Sequence, residues 1–327
     1  MISLFAYFVR RGARFLPAQR IVLSVVFGVA LLALPASAQG PSPESAPTQF
    51  PGGAFISYNS IFESRDLVPG AFADPKSPTA RATFTHQGII RFAWSMRPNW
   101  EVMAEVPIVT QHLDTPATTV GGTGFGDVAI LVKHRFFRRD SERGTTQISF
   151  TAGPKLPTGR TRLRDGSGAL LPVPLQPGTG STDVFFEMDG TYTGLFNSKR
   201  LVADESVSYW LRTQGSQDFR LGSEFESRFW LSYRPYQTKF VSKEWFIGPT
   251  LTLHRYARDQ ISGVRQPASG GYVLAPGVTT YFSPKPGLHL WFGFEIPVAQ
   301  DRAGAPTRFA RQFSIGVTRQ FILGKLR

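Results

Sequence analysis

Leu288-His289-Leu290-Trp291-Phe292-Gly293-Phe294-Glu295-Ile296-Pro297-Val298 is the stretch that decides the fold. Positions 288, 290, 292, 294, 296 and 298 are all apolar, and their alternates are His289, Trp291, Gly293, Glu295 and Pro297. A period of two belongs to an extended strand, whose successive side chains point to opposite faces. Residues 100–108 repeat it, with Trp100, Val102, Ala104, Val106 and Ile108 set against Glu101, Met103, Glu105 and Pro107. The same alternation runs through 128–136, 184–192 and 312–321.

Working outward, strand-like segments fall near 54–63, 82–94, 99–111, 124–137, 145–157, 182–194, 204–214, 220–233, 242–256, 271–282, 287–298 and 309–321. The gaps 95–98, 138–144, 195–203, 234–241 and 283–286 are short. Those between them tend to be longer, reaching 158–181, with 215–219 as an exception. An even strand count with short turns at one end and longer loops at the other is the asymmetry of outer-membrane barrels. Trp94, Trp100, Phe136, Tyr233, Trp245, Phe282 and Phe321 sit near the short-turn ends, as an interfacial girdle of amphipathic rings requires. A soluble β-sandwich also alternates, but its strands average about 5–6 residues, and it gives no reason for aromatics beside tight turns. The expected fold is all-β: a transmembrane antiparallel up-and-down barrel of about 12 strands over residues 54–327, with long extracellular loops and short periplasmic turns. His86, His134, Arg255 and Arg319 fall on the apolar parity, all towards segment ends, where a charge facing lipid costs little. No acid or base is expected mid-strand on that parity in the clear segments.

The N-terminus reads differently. Arg10, Arg11, Arg14 and Arg20 precede an apolar run over 21–34, and Ala36-Ser37-Ala38 follows. This is the pattern of a secretory signal, residues 1–38, cleaved after Ala38; the run is shorter than the ~20 apolar residues of a spanning helix. Residues 39–53 are rich in Pro, Gly and Ser and read as a flexible N-terminal arm. Without the four signal arginines, 32 Lys+Arg face 23 Asp+Glu, so the mature chain carries +9. The 327 residues contain no cysteine, which excludes disulfide scaffolds, thiolate metal sites and cysteine nucleophiles. The expected location is the outer membrane of a Gram-negative bacterium.

Three motifs stand in order along the middle of the chain. Gly124-Phe125-Gly126-Asp127 opens a strand, Gly153-Pro154-Lys155-Leu156-Pro157-Thr158-Gly159 closes the next, and Gly178-Thr179-Gly180-Ser181-Thr182-Asp183 follows the long loop. Together they resemble the outer-membrane transporter family associated with the meta-cleavage pathway of phenol degradation. The resemblance is sharpest over 120–195 and marks Gly124, Gly126, Asp127, Lys155, Pro157, Gly159, Gly180 and Asp183 as family-like positions. It implies an outer-membrane barrel that takes up hydrophobic or aromatic compounds, and it brings no catalytic residues. His134 stands where the family has an aromatic, and residues 322–327 follow the terminal Phe321. On their own physics, the glycines allow close strand packing and the Pro-Thr-Gly run ends a strand.

The polar parity defines a candidate lumen wall: Arg91, Glu101, Glu105, Lys133, Arg135, Lys155, Glu187, Asp189, Arg212, Glu224, Glu226, Arg228 and Glu295. Its sign tends to switch from strand to strand, so opposite charges can pair across the sheet. One reading is a narrow charged passage for small solutes; the other is a cross-braced, sealed barrel acting through its extracellular loops. A barrel lipid hydrolase is a third, but the chain has no G-x-S-x-G, H-E-x-x-H or Walker loop. The expectation is therefore a channel and not an enzyme, with no cofactor, no catalytic residue and no metal. His254 and His289 share the polar parity on nearby strands, a faint metal signal only. Expected partners are the small-molecule solute, outer-membrane lipid, lipopolysaccharide phosphates facing the basic loops, and the outer-membrane assembly machinery, with no nucleic acid.

Overall fold

The computed structural model describes residues 45–49, 51–67, 83–114, 119–142, 144–235, 244–301 and 307–323. The signal segment and residues 39–44 lie outside them. Along the described chain run β1 (Gly53–Leu67), β2 (Thr83–Arg97), β3 (Trp100–Asp114), β4 (Thr119–Phe125), β5 (Ala129–Asp140), β6 (Thr145–Lys155), β7 (Asp183–Thr193), β8 (Leu201–Leu211) and β9 (Phe219–Arg220). They continue as β10 (Glu224–Tyr233), β11 (Glu244–Tyr256), β12 (Gln260–Ile261), β13 (Val264–Arg265), β14 (Gly271–Lys285), β15 (Leu288–Glu295), β16 (Ala299–Asp301) and β17 (Thr307–Ile322).

Twelve of these, β1, β2, β3, β5, β6, β7, β8, β10, β11, β14, β15 and β17, pair antiparallel in sequence order, and β17 pairs back onto β1. The closing ladder runs from Gly53↔Ile322 to Leu67↔Thr307 with one shift at Ser64/Arg65. Closure leaves no sheet edge, which is the condition for strands to lie in lipid. The expected twelve-stranded antiparallel barrel is the fold. Beyond it, β4 extends the β3 hairpin at the long-loop end, and β9, β12 and β13 form a small separate sheet built from two long loops.

Burial identifies which face is which. Leu290, Phe292 and Phe294 are each 36% exposed, while the alternating His289 is 1% and Glu295 7% exposed. On β5, Ile130 and Val132 are exposed and Leu131 and Lys133 buried. A soluble domain shows the reverse order; here the apolar face looks outward. Trp94, Phe136, Tyr233 and Phe282 lie exposed at the short-turn end. His134 stacks on Trp100, 4.1 Å between ring centroids and 12° between planes, so the imidazole takes an aromatic's place in that girdle.

Several expectations need correcting. The fourth segment is two strands: β4 pairs the upper part of β3 (Ile108↔Phe125) and β5 the lower part (Glu105↔Ala129), with residues 126–128 between them. The seventh begins at Leu201 rather than 204. That shift matters, because it moves Glu205 from a strand end into the strand body. Glu205 is exposed on the outer face, opposite Gly190 and Phe229, and accepts a 3.0 Å hydrogen bond from Ser227. Among the described residues the outer face thus carries this acid inside a strand, outside the segments where none was expected.

Candidate functional site: the barrel interior

Register alone brings many of the polar-parity residues together. Arg91 lies opposite Glu105 and donates to it at 2.6 Å. Lys133 reaches past β6 to Asp189 at 2.9 Å, and Ser149 donates to the same carboxylate. Glu187 accepts from Ser206 at 3.3 Å. Arg135, near the short-turn end, donates to Gln147 and to the Pro98 carbonyl instead of to an acid. Arg228 meets Glu226 at 3.3 Å and Glu295 at 3.9 Å, the latter reaching past β11 and β14 to β15.

The family-like motifs converge on one buried knot at the long-loop end. The Lys155 ammonium lies 2.7 Å from Asp127 and 2.9 Å from Asp183, and Thr179 and Ser181 complete its shell. Asp127 also accepts from the Gly159 and Thr179 amides at 2.9 and 2.8 Å. Asp183 accepts from the Thr213 amide at 2.8 Å and from Arg212 at 3.2 Å, and Arg212 goes on to Glu224 at 3.5 Å. A buried ion pair survives when its remaining lone pairs find donors, and these two carboxylates are well supplied. Glycine is required here by proximity: a Cβ on Gly159 would stand 2.6 Å from the Gly126 carbonyl carbon and 2.7 Å from the Gly178 Cα. Gly124 packs under Pro177, and Gly180 takes φ +68°. Pro157 is exposed where the loop begins.

The knot ties down the long loop 156–182. Leu171 and Val173 are buried, Leu163 lies over Gly122, and Gln217 and Ser216 donate to the carbonyls of Leu171 and Thr179. At its tip, Ser167 and the Ala169 amide donate to Asp165 and hold its carboxyl below the usual carboxylate range.

The opposite end is filled by the chain's own N-terminal segment. Residues 45, 46, 48 and 49 are buried. The Ser45 carbonyl accepts from Lys133 at 2.6 Å, the Ala46 amide donates to Thr191, and the Gln49 amide donates to Glu101. Thr191 in turn donates to Asp204 at 2.7 Å. Part of the stretch read as a flexible arm is thus docked among lumen charges.

Reading polar residues alone missed half of the wall. Phe55, Ala93, Met103, Ala129, Leu131 and Phe185 pack together on the inner face, with Trp210 against them. Val202, Trp230, Phe246 and Tyr281 form a second inner cluster flanked by Trp291. The signal was present in the alternation, since most of these share parity with a charged neighbour, Trp210 with Arg212 and Trp230 with Arg228. Arg212 lies over the Trp210 ring at 4.5 Å. Trp291 crosses Gly316 to donate to Asn59 at 3.0 Å. A cavity of about 50 Å³ remains, bounded by Trp230, Trp291, Arg228, Glu295 and Asp204.

His254 and His289 do not form a pair. His254 lies near the long-loop end of β11, whereas His289, at the short-turn end of β15, shares a 2.7 Å hydrogen bond with Ser283 and stacks on Tyr281. His254 instead faces Glu224 and Glu226 on β10.

The structure is similar to the COG4313 outer membrane channel from Pseudomonas putida F1, with TM-score 0.63 over 86% of this chain and 99% of that one, at 14% identity. The beta domain of the Bordetella autotransporter Brka matches with TM-score 0.47 over 82% of this chain and 100% of that one, at 11% identity. The CymD monoaromatic hydrocarbon channel gives 0.35 over 84% and 90%, at 8% identity. No family model and no curated protein sequence matches the chain. At 14% identity the first likeness speaks for the fold alone, and it is that of an outer-membrane barrel.

Proposed function

We propose that this chain is exported, loses its signal after Ala38, and works in the outer membrane as a narrow channel for small hydrophobic or aromatic solutes. The observation that carries the reading is the mixed inner wall. Aromatic rings (Phe185, Trp210, Trp230, Trp291) alternate with ion pairs along the wall, and Trp230 and Trp291 border a small residual cavity. Such a wall offers an apolar solute both contact area and orienting polar groups, and it gives a hydrated ion little room. In this reading the short turns face the periplasm, and the basic loops meet lipopolysaccharide phosphates. The motif order supports uptake of aromatic compounds of the kind degraded by meta-cleavage.

The test is flux. Proteoliposomes carrying the barrel should take up monoaromatic solutes faster than sugars of similar mass, and a deletion strain should regain solute-specific uptake when the gene is restored. The docked residues 45–49 and the tied-down loop 156–182 favour a second reading, a sealed barrel acting through its loops. That reading is correct if flux is indistinguishable from empty liposomes while removal of the loop tip abolishes surface binding. Lipid hydrolysis by the pure protein would place it among barrel enzymes instead.

A further inference from the structure

On β10, Glu224 and Glu226 are two residues apart, so both side chains enter the lumen, and β11 sets His254 opposite Glu226 in register. His254 Nδ1 stands 3.4 Å from Glu224 Oε1 and 3.5 Å from Glu226 Oε2, and the three candidate ligand atoms all lie within 4.8 Å of one another. The nitrogen is shielded from solvent, and its contacts to the two carboxylates are long ion-pair contacts without good hydrogen-bond alignment. Those separations have another meaning. Bonds of about 2.0–2.2 Å at a tetrahedral angle put neighbouring ligands on zinc roughly 3.3–3.6 Å apart.

The surroundings fit the same purpose. Arg212 approaches Glu224 through Oε2 at 3.5 Å, and Arg228 approaches Glu226 through Oε1 at 3.3 Å. Each guanidinium holds the far oxygen of its carboxylate and turns the near one towards His254, the orienting role of outer-shell partners in metal sites. A cavity of about 10 Å³ adjoins His254, bounded also by Glu63, Arg65 and Gln312. That is about the room one water needs.

We propose that Glu224, Glu226 and His254 form a divalent transition-metal site of the zinc class at the long-loop end of the lumen, cross-linking β10 to β11. One imidazole and two carboxylates suit zinc, copper or cobalt; an all-oxygen set would suit magnesium or calcium. The nearby arginines lower the affinity, so the site binds in the micromolar range and not more tightly. It stands whether or not solutes pass through the barrel.

The experiment uses untagged, metal-stripped barrel in detergent, titrated with zinc chloride by calorimetry and with cobalt(II) by visible absorption. The expected result is one saturable equivalent of zinc, no magnesium response, and an intense tetrahedral cobalt band that zinc displaces. His254→Gln should weaken zinc binding by roughly 100-fold and Glu226→Gln by at least tenfold. Absence of saturable zinc binding, or binding unchanged in His254→Gln, overturns the assignment. Should that variant fail to fold, the wild-type spectrum decides alone: an octahedral, weak cobalt band overturns the site.

Discussion

Glu205 shows how much hangs on one residue's parity. Its carboxylate lies on the outer face one step inside the girdle level of Tyr192 and Tyr233, with Ser227 as hydrogen-bond donor. A charge on the lipid face is costly near the midplane and falls to about 0–1 kcal/mol towards the interface, with acids at the low end. Glu205→Leu should therefore stabilise the folded barrel slightly, by up to about 1 kcal/mol, read as a small rise in the urea midpoint. A marked loss of stability would mean that the Ser227 bond matters more than the exposure. Lys155 is the opposite case, a charge whose surroundings require it. Lys155→Met leaves Asp127 buried without its cation and Asp183 with Arg212 alone, and breaking a buried pair costs about 3–5 kcal/mol. Unfolding in denaturant should show that loss, and Asp127→Asn, which keeps the hydrogen-bonding shape, should lose less. Alternation told inside from outside for both residues. It told nothing of partners, because Lys133 and Asp189 meet across one intervening strand and Arg228 and Glu295 across two.

Strands were legible because lipid on one face and a filled lumen on the other impose period two over ten or more residues. Their ends were less so. The break at 126–128 lies inside a glycine-rich run that reads as continuous extended chain, and only pairing shows β4 and β5 dividing β3 between them. The order of the three motifs pointed to a shared role, yet their convergence on Lys155 follows from the loop 156–182 folding back, which no local pattern encodes. The close approach of Gly126, Gly159 and Gly178 makes this loop sensitive to a single methyl group. Gly159→Ala should cost about 1–3 kcal/mol by overpacking, and it should act on the loop before the barrel. Limited proteolysis would then cut within 156–182 at a protease concentration that spares the wild type. Cutting at the same rate in both proteins would show that the contact yields without releasing the loop.

At the scale of the whole molecule, closure and plugging are linked. The chain enters the ring at β1, whose partner is the last strand, so the residues just before β1 start at the short-turn rim beside the lumen. From there residues 45–49 find three ready partners: the Lys133 ammonium for the Ser45 carbonyl, Thr191 for the Ala46 amide and Glu101 for the Gln49 amide. Composition suggested a loose arm because Pro, Gly and Ser contribute little to a core; what holds it is backbone hydrogen bonding to lumen side chains, for which a sequence has no signature. These contacts are few, so the segment can leave while the barrel stays closed. Deleting residues 45–49 should therefore raise single-channel conductance in a planar bilayer several-fold, while the band shift on heating remains that of a folded barrel. Glu101→Gln, which weakens one anchor, should give brief openings between the two levels. If the deleted protein conducts no better than the intact one, the aromatic clusters of Phe185 and Trp230, and not the docked segment, set the narrowest point of the path.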